Sequence, residues 1–242
     1  MEPTNSGREI EGKPSMNPAN PSGSLWGLFT SDPTAAVSIV DASGRVLWVN
    51  LQSVRVFLGE NAKIEDAMGK TFEEIGFPRA WADERRAILQ SMKDDNRAIL
   101  LRTIWRGKQQ VSWIRRIEAD AAGMIEGTAK ADGPTYLVIT RRIAGDVKDE
   151  DLMPEKTEVV QSQVVGLGPL SILTNRELEV LALVGHGLST KEIAKMLFRA
   201  EKTIERHRES IAKKLGESKN IRLAEIASEA GLVAGDAERQ RV

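Results

Sequence analysis

The sequence has no cysteine, which excludes disulfide staples, thiolate catalysis and cysteine metal sites, and fits a reducing compartment. It has two histidines, His186 and His207, and one tyrosine, Tyr136. No apolar run approaches the ~18 residues of a spanning helix, so no membrane partner is expected. The N-terminus lacks an apolar signal core, so export is not expected and the cytoplasm is the expected location. Net charge is only −1, from 34 Lys and Arg against 35 Asp and Glu, and says nothing about nucleic acid until it is resolved by region. No phosphate-cradling glycine loop, metal-ligand spacing or nucleophile–base pair is present, and no catalytic residue or metal site is assigned. Asp83-Glu84 and Asp94-Asp95 are paired carboxylates. Adjacent positions on a helix point apart, so they read as solvated.

What is present divides the chain. At 242 residues and 41% hydrophobic it can bury real cores, and two domains are expected. The most ordered pattern runs over 173–215. Thr174 with Glu177 has the spacing of a capping box, which starts a helix. Leu178, Leu181 and Val184 follow on one helical face, and Gly185 and Gly187 end it. Ser189 with Glu192 repeats the box, and Ile193, Ala194 and Leu197 give a short apolar face. A tight turn through 198–201 leads to a third helix.

Turning about 100° per residue from Ile204 gathers Ile204, Ile211 and Leu215 into a stripe, with His207 and Arg208 at its edges. Lys202, Arg206, Glu209 and Lys213 fall opposite, flanked by Thr203 and Ser210. A buried stripe backed by a polar, mostly basic face suits a DNA major groove, although a solvated amphipathic helix has the same pattern. Over 189–222, ten Lys and Arg stand against five Glu, a local excess of five that supports phosphate neutralisation.

The constellation resembles the LuxR-type helix-turn-helix domain found at the C-terminus of many bacterial response regulators. It is carried by Leu173-Thr174, Arg176-Glu177, Glu179-Val180-Leu181, Gly187-Leu188-Ser189, Lys191-Glu192-Ile193-Ala194, Leu197, Lys202-Thr203-Ile204, His207-Arg208, Ile211 and Lys214-Leu215-Gly216. The resemblance implies a bacterial DNA-binding transcription regulator with an all-α four-helix domain over 169–234 and its helix-turn-helix motif at about 193–212. Double-stranded DNA is the expected partner. By helix geometry Lys202, Arg206, Glu209 and Lys213 should face the groove, Thr203 and His207 should lie near phosphate, and Lys191 should add a backbone contact. One position departs: the family usually has serine before the third helix, and this chain has Ala200. In the family the following helix pairs two subunits. Here that is 221–230, with Leu223, Ile226, Ala227 and Ala230 at helical spacing, Gly231 as its stop and a homodimer as the expected assembly. Residues 235–242 read as a tail.

Before this domain, residues 1–24 are rich in Pro, Ser, Asn and Gly and read as a disordered tail. Leu25, Trp26, Leu28 and Phe29 suggest a short docking helix. Strands are expected at 36–40 and 46–49 around the turn Asp41-Ala42-Ser43-Gly44-Arg45, then helical pieces near 52–58 and 64–68, a connector over 69–75 and a longer helix over 79–92. Further strands are expected at 98–105, 111–117 and 135–142, with a turn at Arg106-Gly107-Lys108 and a long loop over 119–133. Residues 144–168, with an acidic run at 146–151, read as a linker in which 155–165 has the length of a short helix.

Two strands, short helices and three more strands make an α+β pattern. The hairpin over 37–46, followed by Asn50, resembles the opening of a PAS domain, whose five-stranded antiparallel sheet cups short helices around a pocket. The resemblance covers roughly 30–143 of a domain placed at 25–143. It implies a sensor of a small ligand or of a signalling protein. The five tryptophans, at 26, 48, 81, 105 and 113, read mainly as core. No acidic pair and late lysine in alternating βα units mark a phosphoacceptor receiver, and a single tyrosine does not fit an acyl-homoserine lactone domain. Both histidines lie in the helical half, which excludes histidine-ligated haem in the sensor; the lack of cysteine excludes a cysteinyl-flavin photosensor. Met68 and Met92 read as core, and no cofactor is assigned. Two rivals stand beside the sensor: a ligand-free interaction and dimerisation module, and, remotely, an enzyme with a DNA-binding tail.

Overall fold

The computed structural model describes residues 27, 32–94, 97–118, 128, 131, 133–143, 157–217 and 220–242. The tail at 1–24, the docking helix around Trp26 (except Gly27), most of the loop at 119–133 and the acidic run at 146–151 lie outside the described residues. The chain divides after Asp32, and Pro33–Val242 makes up one of its two units.

A hairpin of β1 (Ala36–Asp41) and β2 (Val46–Val49) opens that unit. Its turn is held by Asp41, whose Oδ1 accepts from the Ser43 N–H at 2.9 Å, the Ser43 hydroxyl at 2.6 Å and the Arg45 N–H at 3.0 Å. A short acidic side chain can satisfy its own turn in this way. Asn50, 7% exposed, then works at both ends of its amide. Its Oδ1 accepts from the N–H groups of Val37 and Ser53, and its Nδ2 donates to the Ala35 carbonyl. It thereby pins β1 and caps α1 (Leu51–Leu58).

A 3-10 turn at Ile64–Asp66 leads to α2 (Phe72–Ile75) and α3 (Arg79–Ser91). The expected connector at 69–75 is corrected by α2. Thr71 and Glu74 form a reciprocal capping box there, and that local pairing is enough to start a helical turn. Phe57, Phe72, Phe77, Trp81 and Trp105 form one aromatic cluster, with Phe77 stacked on Trp81 at 4.2 Å. Met92 is fully buried and Met68 packs at the edge of the same core, as expected of core methionines.

Strands β3 (Ala98–Trp105), β4 (Lys108–Ile117) and β5 (Thr135–Arg142) complete an antiparallel sheet of order β2-β1-β5-β4-β3, with Tyr136 and Val138 turned to the helix-covered core. This is the PAS-like arrangement that the sequence suggested. The β3–β4 turn is tighter than expected. Arg106 and Gly107 alone make it, at φ 54° and 72°, so Lys108 already pairs with Trp105.

The described part of the expected linker is corrected. Thr157–Gln161 is a strand, β6, which joins the open edge of β3 in parallel, and Val164–Val165 is a second strand, β7. No helix forms over the described part of 155–165. Its β-branched Thr157, Val159 and Val160 favour extended backbone, and the edge of β3 supplies the missing hydrogen bonds. The expected tail is also corrected. Ala234–Glu238 is a 3-10 turn and Gln240–Arg241 is β8, paired in parallel with β7.

The helical half holds a 3-10 turn at Gly168–Ile172, then α4 (Asn175–Gly185), α5 (Thr190–Met196), α6 (Glu201–Leu215) and α7 (Asn220–Ala230). Helix α4 is the centre. Leu178 and every residue from Val180 to Val184 are buried, so it is covered on nearly all sides rather than along one stripe. His186 is its C-cap, and Gly187 beyond it turns the chain away at φ 78°. Gly185 instead lets α7 approach: a Cβ there would lie 2.6 Å from that of Ala227. Leu223, Ala227 and Ala230 of α7 are spent on this core. Among the described residues no helix is long and apolar enough to cross a membrane.

Candidate nucleic-acid interface and interior cavity

Helix α6 carries the candidate interface. Ile204 and Ile211 are fully buried and Leu215 packs beside them, which fixes the helix by its apolar stripe. Lys202, Arg206, Glu209 and Lys213 are all exposed on the other side, and Thr203 and His207 are half-buried at its margins. Lys191 is exposed on α5. Lys202 has a loose neighbour, Glu205 at 3.8 Å, and both side chains remain largely in solvent. Such a pair contributes little and would yield readily to a phosphate. Lys195 and Arg199, outside the predicted set, are also exposed near the start of α6. Between them stands Phe198, 90% exposed with φ 51°. The sequence marked Phe198 as a turn residue but gave no sign of its exposure.

One buried carboxylate sets the helix in place, and a half-buried arginine braces the helices around it. Glu177, 4% exposed, closes the capping box of α4 by accepting from the Thr174 N–H and hydroxyl. The same carboxylate accepts from the Ser210 hydroxyl at 2.7 Å and the Lys214 ammonium at 2.6 Å, both on α6. Burial works to raise its pKa, but the bonds from Lys214, Thr174 and Ser210 overcome this and hold it at about 2. Ser210, expected only to flank the exposed face, is therefore an anchor to α4. Arg176 binds Glu179 and donates to the Leu197 carbonyl at 3.2 Å, tying α4 to the end of α5.

The caps behave as the sequence predicts at one helix and fail at the next. Ser189 and Glu192 form their reciprocal box on α5, whose hydrogen bonds lower the Glu192 pKa. Ala200 occupies the N-cap of α6 without any side-chain bond, and Glu201 is the acidic residue of that first turn.

A second feature lies inside the sheet half. A cavity of about 70 Å³ is bounded by α1, α3 and the sheet, with Val54, Phe57, Phe72, Phe77, Trp81 and Leu101 among its walls. Among the described residues Arg85 is the one charged residue lining it, and Ser38, Ser53 and Ser112 supply hydroxyls. Its size is several times the ~10–15 Å³ that one water occupies but far below the ~300 Å³ of a small drug site. Glu84, read from sequence as solvated, instead accepts from Arg85, from the Ser162 hydroxyl at 2.6 Å and from the Gln163 N–H at 2.5 Å.

Capped short helices turning tightly into a longer helix with an exposed basic face define a helix-turn-helix module. Residues 171–227 match the family of bacterial regulatory proteins, luxR family, and this part of the chain is a LuxR-type helix-turn-helix domain. The oxygen regulatory protein NreC of Staphylococcus aureus is 46% identical over 59 residues, which cover 24% of this chain and 27% of that protein. The chain thus spans about a quarter of the length of the curated relatives it matches. Among solved structures, a Vibrio cholerae VqmA–ligand–DNA complex is similar over 89% of this chain and 91% of that one, at 16% identity and a TM-score of 0.44. The PAS domain of Bordetella pertussis BvgS is similar over 52% of this chain and 85% of that one, at 16% identity and a TM-score of 0.37. The PAS-like reading of the sheet half rests on its own strand order.

Proposed function

We propose that this chain is a DNA-binding transcription regulator whose PAS-like half receives a small-molecule signal and controls a LuxR-type reading head. The observation that carries the proposal is the exposed face of α6, where Lys202, Arg206, Glu209 and Lys213 stand together over a buried stripe of Ile204 and Ile211. In this reading Arg206 and Glu209 meet base edges, Lys202 and Lys213 meet the walls of the groove, and Thr203, His207 and Lys191 meet phosphates. One short module supplies few specific contacts, so the regulator acts as a dimer on paired half-sites. Leu223, Ala227 and Ala230 belong to the core, and this leaves the outer residues of α7 for a partner.

Selection of the full-length protein on a random duplex library tests this. Enrichment of two related half-sites at fixed spacing is expected. Recovery of unselected sequence at every salt concentration would count against it.

The small volume of the cavity favours a second reading of the sheet half as a filled interaction module that takes its signal from a protein. Native mass spectrometry separates the two. A reproducible low-mass adduct on the full chain supports the ligand sensor, and an adduct-free chain supports the interaction module.

A further inference from the structure

The cavity wall holds two buried donors. Arg85 is 8% exposed, and its guanidinium lies 4.7 Å over the Trp81 ring. A guanidinium offers five N–H groups in a planar fork that matches a carboxylate. Trp81 is 4% exposed, and its indole N–H has no acceptor among the described residues. A buried donor without an acceptor is uncommon and marks a place where an acceptor belongs. Apart from the hydroxyls of Ser38, Ser53 and Ser112, the remaining walls are aliphatic and aromatic.

Arg85 also begins a path out of the cavity. It holds Glu84, whose Oε2 accepts from the Ser162 hydroxyl and whose Oε1 accepts from the Gln163 N–H. Those two residues form the corner between β6 and β7. The Ser162 Oγ accepts in turn from the Val164 N–H at 3.3 Å. Strand β7 carries β8 through bonds from the Gln240 N–H to Gln163 and from the Val242 N–H to Val165. The Arg241 side chain then donates to the Leu173 carbonyl at 2.8 Å and to Asn175 in the first turn of α4. The last residues of the chain therefore form a strap from the sheet core to the start of the helix-turn-helix.

We propose that the cavity takes a small, mostly apolar carboxylate recognised by Arg85 and the Trp81 N–H, and that its arrival draws Arg85 off Glu84 and loosens the strap on α4. This rests on the reading of the sheet half as a sensor. The anion repels the Glu84 carboxylate while competing for its guanidinium. The Glu84 side chain is 18% exposed, so once released it gains rotamer freedom and can turn to water, and its grip on Ser162 and Gln163 weakens. A ligand acts only through such a difference in contacts between two states. The cavity, Glu84, the corner at 162–163 and Arg241 supply those contacts.

Hydrogen exchange on the full chain tests the proposal with isobutyrate as the probe and isobutanol as its uncharged counterpart. Isobutyrate should slow exchange around Trp81 and Arg85 and speed it at 164–165 and 240–242 by about tenfold. Arg85→Met should abolish both effects. Ser162→Ala, which removes only the hydroxyl, should speed exchange at the same two strands without any probe, and Glu84→Gln should do so to a lesser degree. Wild-type exchange at these strands in both variants would overturn the relay. An equal response to isobutanol would overturn the assignment of an anion, and no response to isobutyrate would overturn the ligand class. All of these readings are made on the free protein. Failure of the wild type to select DNA would instead strike the regulator reading itself.

Discussion

The Lys214 ammonium lies 2.6 Å from the Glu177 carboxylate, so one buried acid both caps α4 and anchors the far half of α6. The helix proposed to read DNA is thus oriented by the first turn of the helix at the centre of its own domain.

That contact makes stability depend on pH in a definite direction. Glu177 titrates at about 2 in the fold against 4.5 as an ordinary glutamate. Its contribution is full above 4.5 and is lost as pH falls towards about 2. A shift of this size corresponds to roughly 3 kcal/mol. Glu177→Gln should therefore be destabilised by about 2–3 kcal/mol near neutral pH, and the gap should narrow by about pH 3. Urea denaturation of both proteins at the two pH values measures it. A gap that does not change with pH would show that the charge of Glu177 is not what the fold uses.

Ala200 leaves the start of α6 without a side-chain cap. Ala200→Ser should stabilise the protein by about 1 kcal/mol, seen as a rise in Tm. A lower Tm would mean that the first turn is set by Glu201 in a way a serine disturbs.

Gly166 lies under the Trp105 ring, where a Cβ would be 2.5 Å from Cε3. The ring cannot retreat freely because its Nε1 donates to the Phe57 carbonyl at 2.9 Å. Gly166→Ala should cost about 1–3 kcal/mol by overpacking. Unchanged denaturation would show that the ring can move aside.

Lys202 stands in solvent beside Glu205. If it meets phosphate, Lys202→Ala should weaken binding about equally on all duplexes and reduce the salt slope by about 1. A change of sequence preference with an unaltered slope would place Lys202 at a base edge instead.

The local part of this architecture is legible in the sequence because its signals are local. Thr174 with Glu177 and Ser189 with Glu192 announce their helices, and 100° steps from Ile204 separate the buried stripe from the exposed face. Thr71 with Glu74 carries the same signal in a stretch otherwise read as a connector. The rest depends on contacts between distant residues. Nothing near Thr157 says that it will pair with Ala98, and nothing near Gln240 points to Val164. Glu84 looked solvated because its partners, Ser162 and Gln163, lie nearly eighty residues on. Ser210 and Lys214 are one turn apart on α6, which shows that they share a face but not that Glu177 waits beneath it.

The central claim is that α6 reads DNA through its exposed face, and the most direct measurement is the affinity of the wild type and Arg206→Ala on duplexes from the selection. The account predicts a loss of about 1–3 kcal/mol on the selected site and a relaxed preference at one base pair. Equal affinity and an unchanged preference would contradict the proposed orientation of α6 on DNA.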